Sequence, residues 1–347
     1  MKNILICPDI HFCQYYSIID QRGKKYSAKL ENCIDSVNWV MQTALKENCS
    51  SIFYLGDFFD KSVLNAEEIT ALSDIDFNIG LNQFIIVGNH EAKTADNAFN
   101  TSNSLQKVNV FDKYQLLEDD TTAIHLIPYI YDCPEDLLEI ITPVYGKKNL
   151  VLSHNDLNGV NYGNYISKNG FSLESIEKNC DLFINGHIHN NSWVTKKILN
   201  LGILTGKNFN EDFRKYTHQV AVVDLDTFNV KLIENPFALN FAKFDSLNSC
   251  DEIKHCIEST DKKNLVFYIK CQQDIQPEVK TLLENYKLTK KVFTYKIITE
   301  RKYTANHSNN ESKKLNKINP YKDLRESVLR YVDSSEYTRS ELDIICS

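Results

Sequence analysis

The chain has 347 residues, 42% hydrophobic and 24% charged, the balance of a globular protein with ample material for a packed core, which excludes a disordered or fibrous chain. Its longest apolar runs, such as residues 84–87, fall far short of the roughly 20 residues a membrane helix needs, and residues 4–7 before Pro8 are too short for a signal-peptide core, so a cytoplasmic protein without membrane association is expected. The formal net charge of −7 weighs against a nucleic-acid partner only until it is divided: residues 1–240 carry −10, residues 241–347 carry +3, and within 286–330 twelve Lys/Arg face four Asp/Glu.

In the first 240 residues short apolar runs alternate with helical spacing. Runs at 3–7, 51–55, 83–87, 150–152 and 182–184 read as buried strands. Between the first two, Leu30, Ile34, Val37, Met41, Ala44 and Leu45 recur at the period of a helix. Asn65 with Glu68 marks the start of another helix, which Ile69, Leu72, Ile75 and Ile79 carry on to Gly80. Residues 219–224 and 229–233 read as a hairpin around Asp226 and Thr227. From about Phe241 a smaller β-α-β module is expected: a helix at 251–258, a strand at 265–270, a helix opened by Pro277, and a strand at 291–299. Residues 304–319 are polar and basic and read as a linker, and two short helices close the chain at 320–347, the second capped by Thr338 with Glu341. Ten scattered cysteines include no C-x-x-C pair, so reduced thiols are expected.

Five of the nine histidines sit in short clusters just after the expected strands. After the first come Asp9 and His11; after the second, Gly56, Asp57 and Asp60; after the third, Gly88, Asn89, His90 and Glu91; after the fourth, Ser153, His154, Asn155 and Asp156; after the fifth, Gly186, His187 and His189. Strand ends in an α/β sheet are where loops converge on ligands. Imidazole and carboxylate donors suit manganese, iron or zinc, and the clusters hold no thiolate for a closed zinc site. Residues two apart on extended chain point the same way, so Asp9 with His11 and His187 with His189 can each grip a metal, and Asp57 is placed to bridge two. Any one such motif is common by chance; five in strand-loop register are not. His125, His218, His255 and His307 lack such company and read as structural or exposed, and Phe58, Phe59, Tyr129 and Tyr131 as packing residues.

The order D-x-H, G-D-x-x-D, G-N-H-E, S-H, G-H-x-H resembles the calcineurin-like metallophosphoesterase superfamily over nearly all of residues 1–240. The resemblance implies an α/β (α+β) fold, a two-sheet β-sandwich flanked by helices, with two divalent ions, manganese foremost. One ion would be held by Asp9, His11, Asp57 and His189, the other by Asp57, Asn89, His154 and His187. His90 would stand beside the scissile phosphate without ligating, with Asp60 and Glu91 supporting the ligands from behind.

Beyond these motifs the chain is similar to SbcD-type nuclease subunits, especially the tailed-phage recombination endonuclease subunit. The matching stretches are 126–129, 154–159, 200–202, 210–212 and 222–227. That likeness implies a catalytic domain at 1–240, a DNA-binding capping domain at 241–303, the linker, and terminal helices that bind an SMC-like (SbcC-type) ATPase. It also implies a homodimer formed around 65–79 and the segment after Ala92, although an ordinary core-facing helix explains the pattern at 65–79 equally well. The expected activity is 3′→5′ exonuclease action on duplex DNA and endonuclease action on single strands, in recombination, repair or replication. Three departures stand out: Cys13 where the family usually has Gly, Glu91 where Asp is more frequent, and Gly202 without a following Pro. A phosphatase or cyclic-nucleotide phosphodiesterase of the same superfamily is the alternative, and an idle binding scaffold, which would have no reason to keep all seven donors, comes third.

Overall fold

The computed structural model describes residues 3–300 apart from 16, 17, 20, 93–98, 100–104 and 161–165. The expected linker, the terminal helices and the segment just after Ala92 lie outside the described residues. In chain order, β1 (Asn3–Cys7) is followed by α1 (Ala28–Lys46), β2 (Cys49–Tyr54), α2 (Ala66–Ser73) and β3 (Asn82–Ile86). Next come β4 (Asn109–Phe111), β5 (Gln115–Glu118), β6 (Thr122–Ile127) and β7 (Lys148–Ser153). After short β8 (Leu157–Asn158) and β9 (Phe171–Ser172) the chain forms α3 (Leu173–Asn179) and β10 (Leu182–Asn185). β11 (Ser192–Trp193), β12 (Ile198–Asn200), β13 (Gln219–Asp224) and β14 (Val230–Glu234) complete this part.

Two six-stranded sheets result, in the orders β14-β13-β1-β2-β3-β4 and β11-β12-β10-β7-β6-β5. In the first, β1 to β4 run parallel and β13 joins antiparallel, its Val222 opposite Leu5. In the second, β12, β10, β7 and β6 run parallel. The sheets stack face to face: Ile4, Ile6 and Phe53 meet Leu150, Leu152, Leu182 and Ile184 in one buried core. The alternate residues Leu5, Cys7, Ile52 and Tyr54 face the other way, into a core with Leu30, Val37 and Met41 of α1. On the far side Val151 and Phe183 pack with Ile176 of α3. Both faces of β1 and β2 are therefore covered, which is why those strands read as unbroken apolar runs. This is the helix-flanked two-sheet sandwich expected.

Local chemistry fixes the helix ends. Ser27 caps α1 by accepting from the Leu30 N–H, and Asn65 and Glu68 form a reciprocal capping box on α2. α2 stops at Ser73, not at Gly80. Asp74, its C-cap, gives its carboxylate to the Tyr26 hydroxyl and Lys25, and Asp76 accepts from the Asn78 N–H in a local turn. Ile75 and Phe77 are buried all the same, on irregular chain rather than on a helix face.

The smaller module holds one more strand than expected. β15 (Asn240–Leu247), α4 (Cys250–Glu258), β16 (Leu265–Gln272), α5 (Gln276–Leu288) and β17 (Val292–Glu300) form a β-α-β-α-β unit with an all-parallel sheet ordered β15-β16-β17. Its core packs Ile253 and Ile257 of α4 and Val279 and Leu283 of α5 against Leu265, Phe267 and Ile269, and takes in Phe213 from the β12–β13 loop.

Candidate metal centre

The clusters after β1, β2 and β3 come from one sheet and those after β7 and β10 from the other, so the site spans the shared C-terminal edge of the sandwich. Asp9, His11, Asp57 and His154 are buried, and His189 sits at the rim. Among the described residues three groups of donor atoms, each within 4.8 Å, are formed: Asp9 with His11 and His189, His11 with Asp57 and His90, and Asp9 with Asp57 and His154. Asp57 Oδ2 lies 3.5 Å from His11 Nε2, and its Oδ1 lies 3.4 Å from His154 Nε2, so this one carboxylate faces both halves. Asn89 Oδ1 stands 3.0 Å from both His154 Nε2 and His187 Nδ1, and His11 Nε2 stands 2.9 Å from His189 Nε2. All seven expected ligands thus converge, with His90 beside them.

Backbone strain helps to aim them. His11, Asp57 and His187 hold φ of 50°, 44° and 67°, in the left-handed region that side chains other than Gly enter at a cost of about 1–3 kcal/mol each. Close approach explains two glycines: a Cβ on Gly88 would lie 2.3 Å from Asp57 N and Oδ1, and one on Gly186 2.6 Å from Asp9 Oδ1.

A surrounding shell sets the tautomers. His154 Nδ1–H donates to Leu55 O at 2.6 Å, and His189 Nδ1–H to Glu211 Oε1 at 2.7 Å. His11 Nδ1–H donates to Asp60 Oδ1 at 2.9 Å, and that oxygen also takes the Lys207 ammonium at 2.6 Å. Each ring is left with Nε2 facing inward, the arrangement that orients ligating histidines. His187 is turned the other way, its Nδ1 toward Asn89 and its Nε2 3.6 Å from Asp156 Oδ1. Glu91 is fully buried and accepts from the Asp57, Phe59 and Gly88 N–H groups, tying two ligand loops together. His90 Nδ1–H donates to Asp60 O at 2.6 Å, and its Nε2 lies 3.8 Å from Asp57 Oδ2.

Charge in the site is strongly perturbed. Burial opposes ionisation of Asp57, yet His154, His11 and His90 hold its carboxyl well below the usual range. Burial holds His11 neutral, down to about 3. Burial works against a charged His154, but Asp57 and Asp9 push it up to about 9. Burial lifts Asp9 above its ordinary value despite His154. Burial and Asp57 raise Glu91 to about 8 against the pull of its N–H donors.

A metal pair fits these residues. Asp9 Oδ2 is buried without a hydrogen-bond partner, an orphaned anionic oxygen aimed at the other donors. The donors are nitrogen and oxygen with no sulfur, a set suited to borderline and hard divalent ions.

Two supporting residues lay outside the expected set, Lys207 and Glu211. Both sit in the loop after β12, and the signal available was Glu211 within the matching stretch 210–212. Of the aromatic residues expected to pack, Phe58 and Phe59 are fully buried and Tyr129 tilts against His187 at 6.0 Å, but Tyr131 is 85% exposed. His125 and His218 are buried, held by Asn149 and by Ile203 O.

Stacked sheets whose loops converge on such donors define a metal-dependent hydrolase. Residues 2–191 match the family described as calcineurin-like phosphoesterase, and the chain belongs to that family. Its members hydrolyse phosphoesters with a dinuclear divalent centre. No curated protein matches the chain in sequence. Among solved structures it is similar to TT1561 of Thermus thermophilus at 10% identity and TM-score 0.38, covering 67% of this chain and 98% of that one. It is also similar to GAP50, the anchor in the inner membrane complex of Plasmodium, at 10% identity and TM-score 0.34, covering 86% and 98%. Among the described residues no helix is long and apolar enough to cross a membrane.

Proposed function

We propose that the chain is a manganese-dependent DNA nuclease, the SbcD-type subunit of an ATPase–nuclease complex acting in recombination, repair or replication. Support comes from the joining of a convergent donor set to a β-α-β-α-β module directly after it, an appendage that a phosphatase or cyclic-nucleotide phosphodiesterase acting on a small ester does not need. In this reading residues 1–240 are catalytic and 241–303 cap the site and contact DNA. Residues 304–319 link to helices at 320–347 that bind an SMC-like ATPase, and the protein works as a homodimer.

Held by Asp9, His11, Asp57, Asn89, His154, His187 and His189, divalent cations would supply Lewis-acid neutralisation of phosphoester charge. The chain's own residues do the rest. Asp57 offers one oxygen to each half of the site. Asp60, Glu211 and Leu55 O hold protons on the outer nitrogens of His11, His189 and His154 and so fix their tautomers. His90, held at Nδ1 by Asp60 O, presents Nε2 to the site, placed to stabilise developing charge or to protonate the leaving oxygen.

The test is purified protein with Mn2+, offered labelled duplex and single-stranded DNA and bis(p-nitrophenyl) phosphate, beside a His90→Asn variant. DNA cleavage that His90→Asn loses while keeping its Mn2+ is expected. Cleavage of the small ester with DNA left intact, even with the ATPase present, would sink the nuclease reading in favour of the small-substrate enzyme. Removing residues 320–347 is expected to abolish ATPase binding and spare basal cleavage; unchanged binding refutes the role given to those helices.

A further inference from the structure

The stretch 206–213 between β12 and β13 has two sides. On one it is stitched to the small module. Gly206 N–H donates to Leu239 O at 3.0 Å, Phe213 N–H donates to Phe241 O at 2.9 Å, and Asp212 forms an isolated parallel bridge with Phe241. Between these ties half-buried Phe209 stands edge-on to Phe241, centroids 5.0 Å apart, and tilted against Tyr268 of β16 at 5.6 Å. There is no slack at the near end, where a Cβ on Gly206 would lie 2.3 Å from Leu239 O.

On its other side the same stretch holds both histidines of one metal position. Glu211 Oε1 takes the proton of His189 Nδ1 at 2.7 Å and an Asn208 amide proton at 2.9 Å, while its Oε2 takes the Lys207 and Asn208 N–H groups. Lys207 Nζ pairs with Asp60 at 2.6 Å, and Asp60 in turn holds His11. Glu211 and Phe209 are two residues apart on one short loop, so a shift of the loop that takes the ring off Phe241 and Tyr268 also displaces the carboxylate that aims His189.

We propose that residues 206–213 couple the β15–β17 module to the His11/His189 metal position, with Phe209 as a positioning residue acting through Glu211. The proposal rests on reading His11 and His189 as ligands of one ion. Coupling of this kind is reciprocal: whatever fixes the module sharpens the metal position, and filling that position stiffens the module.

The experiment uses the full chain and Mn2+ alone, with binding followed by calorimetry and by the Mn2+ electron paramagnetic resonance signal. Glu211→Gln is expected to weaken one of two Mn2+ positions about 10- to 100-fold. Phe209→Ala is expected to weaken the same position roughly fivefold or more and leave the other as it was, and Phe209→Leu to recover most of the loss. Arg214→Ala removes a surface tie from the end of the loop to Lys243 O. It also frees the guanidinium from the Phe244 ring, 4.9 Å away, but leaves Phe209 on Phe241 and Tyr268, and a smaller loss at the same position is expected. In the wild-type protein Mn2+ is expected to slow hydrogen exchange at residues 239–244, and to do so less in Phe209→Ala. Wild-type Mn2+ affinities in both Phe209→Ala and Arg214→Ala, beside a weakened Glu211→Gln, would overturn the coupling and leave the metal reading standing. Wild-type protein that takes up no Mn2+ would overturn the metal reading itself, and the coupling with it.

Discussion

Loading the metal centre has to expel a proton, and His154 shows how much that costs. In metal-free protein Asp57 and Asp9, against the opposing effect of burial, push this imidazole up to about 9. The geometry agrees with a doubly protonated ring, since Nδ1–H is spent on Leu55 O at 2.6 Å and Nε2 lies 3.0 Å from Asn89 Oδ1 and 3.4 Å from Asp57 Oδ1, both acceptors. A ligating histidine must give up the Nε2 proton. At pH 7 the gap of about 2 units is worth about 3 kcal/mol, so Mn2+ is expected to bind this position about 100-fold more weakly at pH 7 than at pH 9. The sign follows directly: a raised pKa means that protons win below it, so affinity climbs about tenfold per unit through this window and levels off above about 9. Calorimetry at pH 7 in buffers of different ionisation enthalpy counts the protons, and about one released per ion at this position is expected. Affinity that stays flat from pH 7 to 9, or no proton release at pH 7, would refute the placement of His154 between two carboxylates.

Three substitutions probe the support around that site. Glu91→Ala leaves the buried N–H groups of Asp57, Phe59 and Gly88 without their acceptor; a loss of about 3 kcal/mol or more in urea unfolding is expected, and less for Glu91→Gln, which keeps a carbonyl oxygen. Gly88→Ala drives a methyl into Asp57, so at least about 100-fold lower phosphoester hydrolysis and substoichiometric Mn2+ are expected in protein that still folds. Asn65→Ala removes one arm of the capping box on α2 and is expected to lower unfolding free energy by about 1 kcal/mol while Mn2+ affinity holds.

Much of this was legible in sequence because the donors lie beside strands that betray themselves. β1 matches its expected bounds, and every motif after β1, β2, β3, β7 and β10 falls at a strand end. Apolar runs buried on both faces are hard to mistake, and the turn after each carries a short, crowded donor cluster. Lys207 and Glu211 were not legible in this way. They reach His11 and His189 across more than 20 residues of chain, from a loop without a repeated spacing. β15 was hidden for a related reason: Phe241 and Ala242 are both buried while Lys243 is exposed, so the strand lacks the alternation that would reveal it. On α2 the apolar period ran on past the helix, because Ile75 and Ile79 pack on the core whatever the backbone does, and the carboxylates of Asp74 and Asp76 serve turns beyond Ser73.

The left-handed backbone of His11, Asp57 and His187 bears on how this protein can change over generations. Gly sits more comfortably in that region than His or Asp. A population screened only for survival at high temperature would therefore gather relaxed turns at these three positions, and each gain would cost the centre one of its donors. Heat resistance and hydrolysis are opposed here at the level of single φ angles, so a hardier catalyst has to be sought in the sandwich core and at the helix caps.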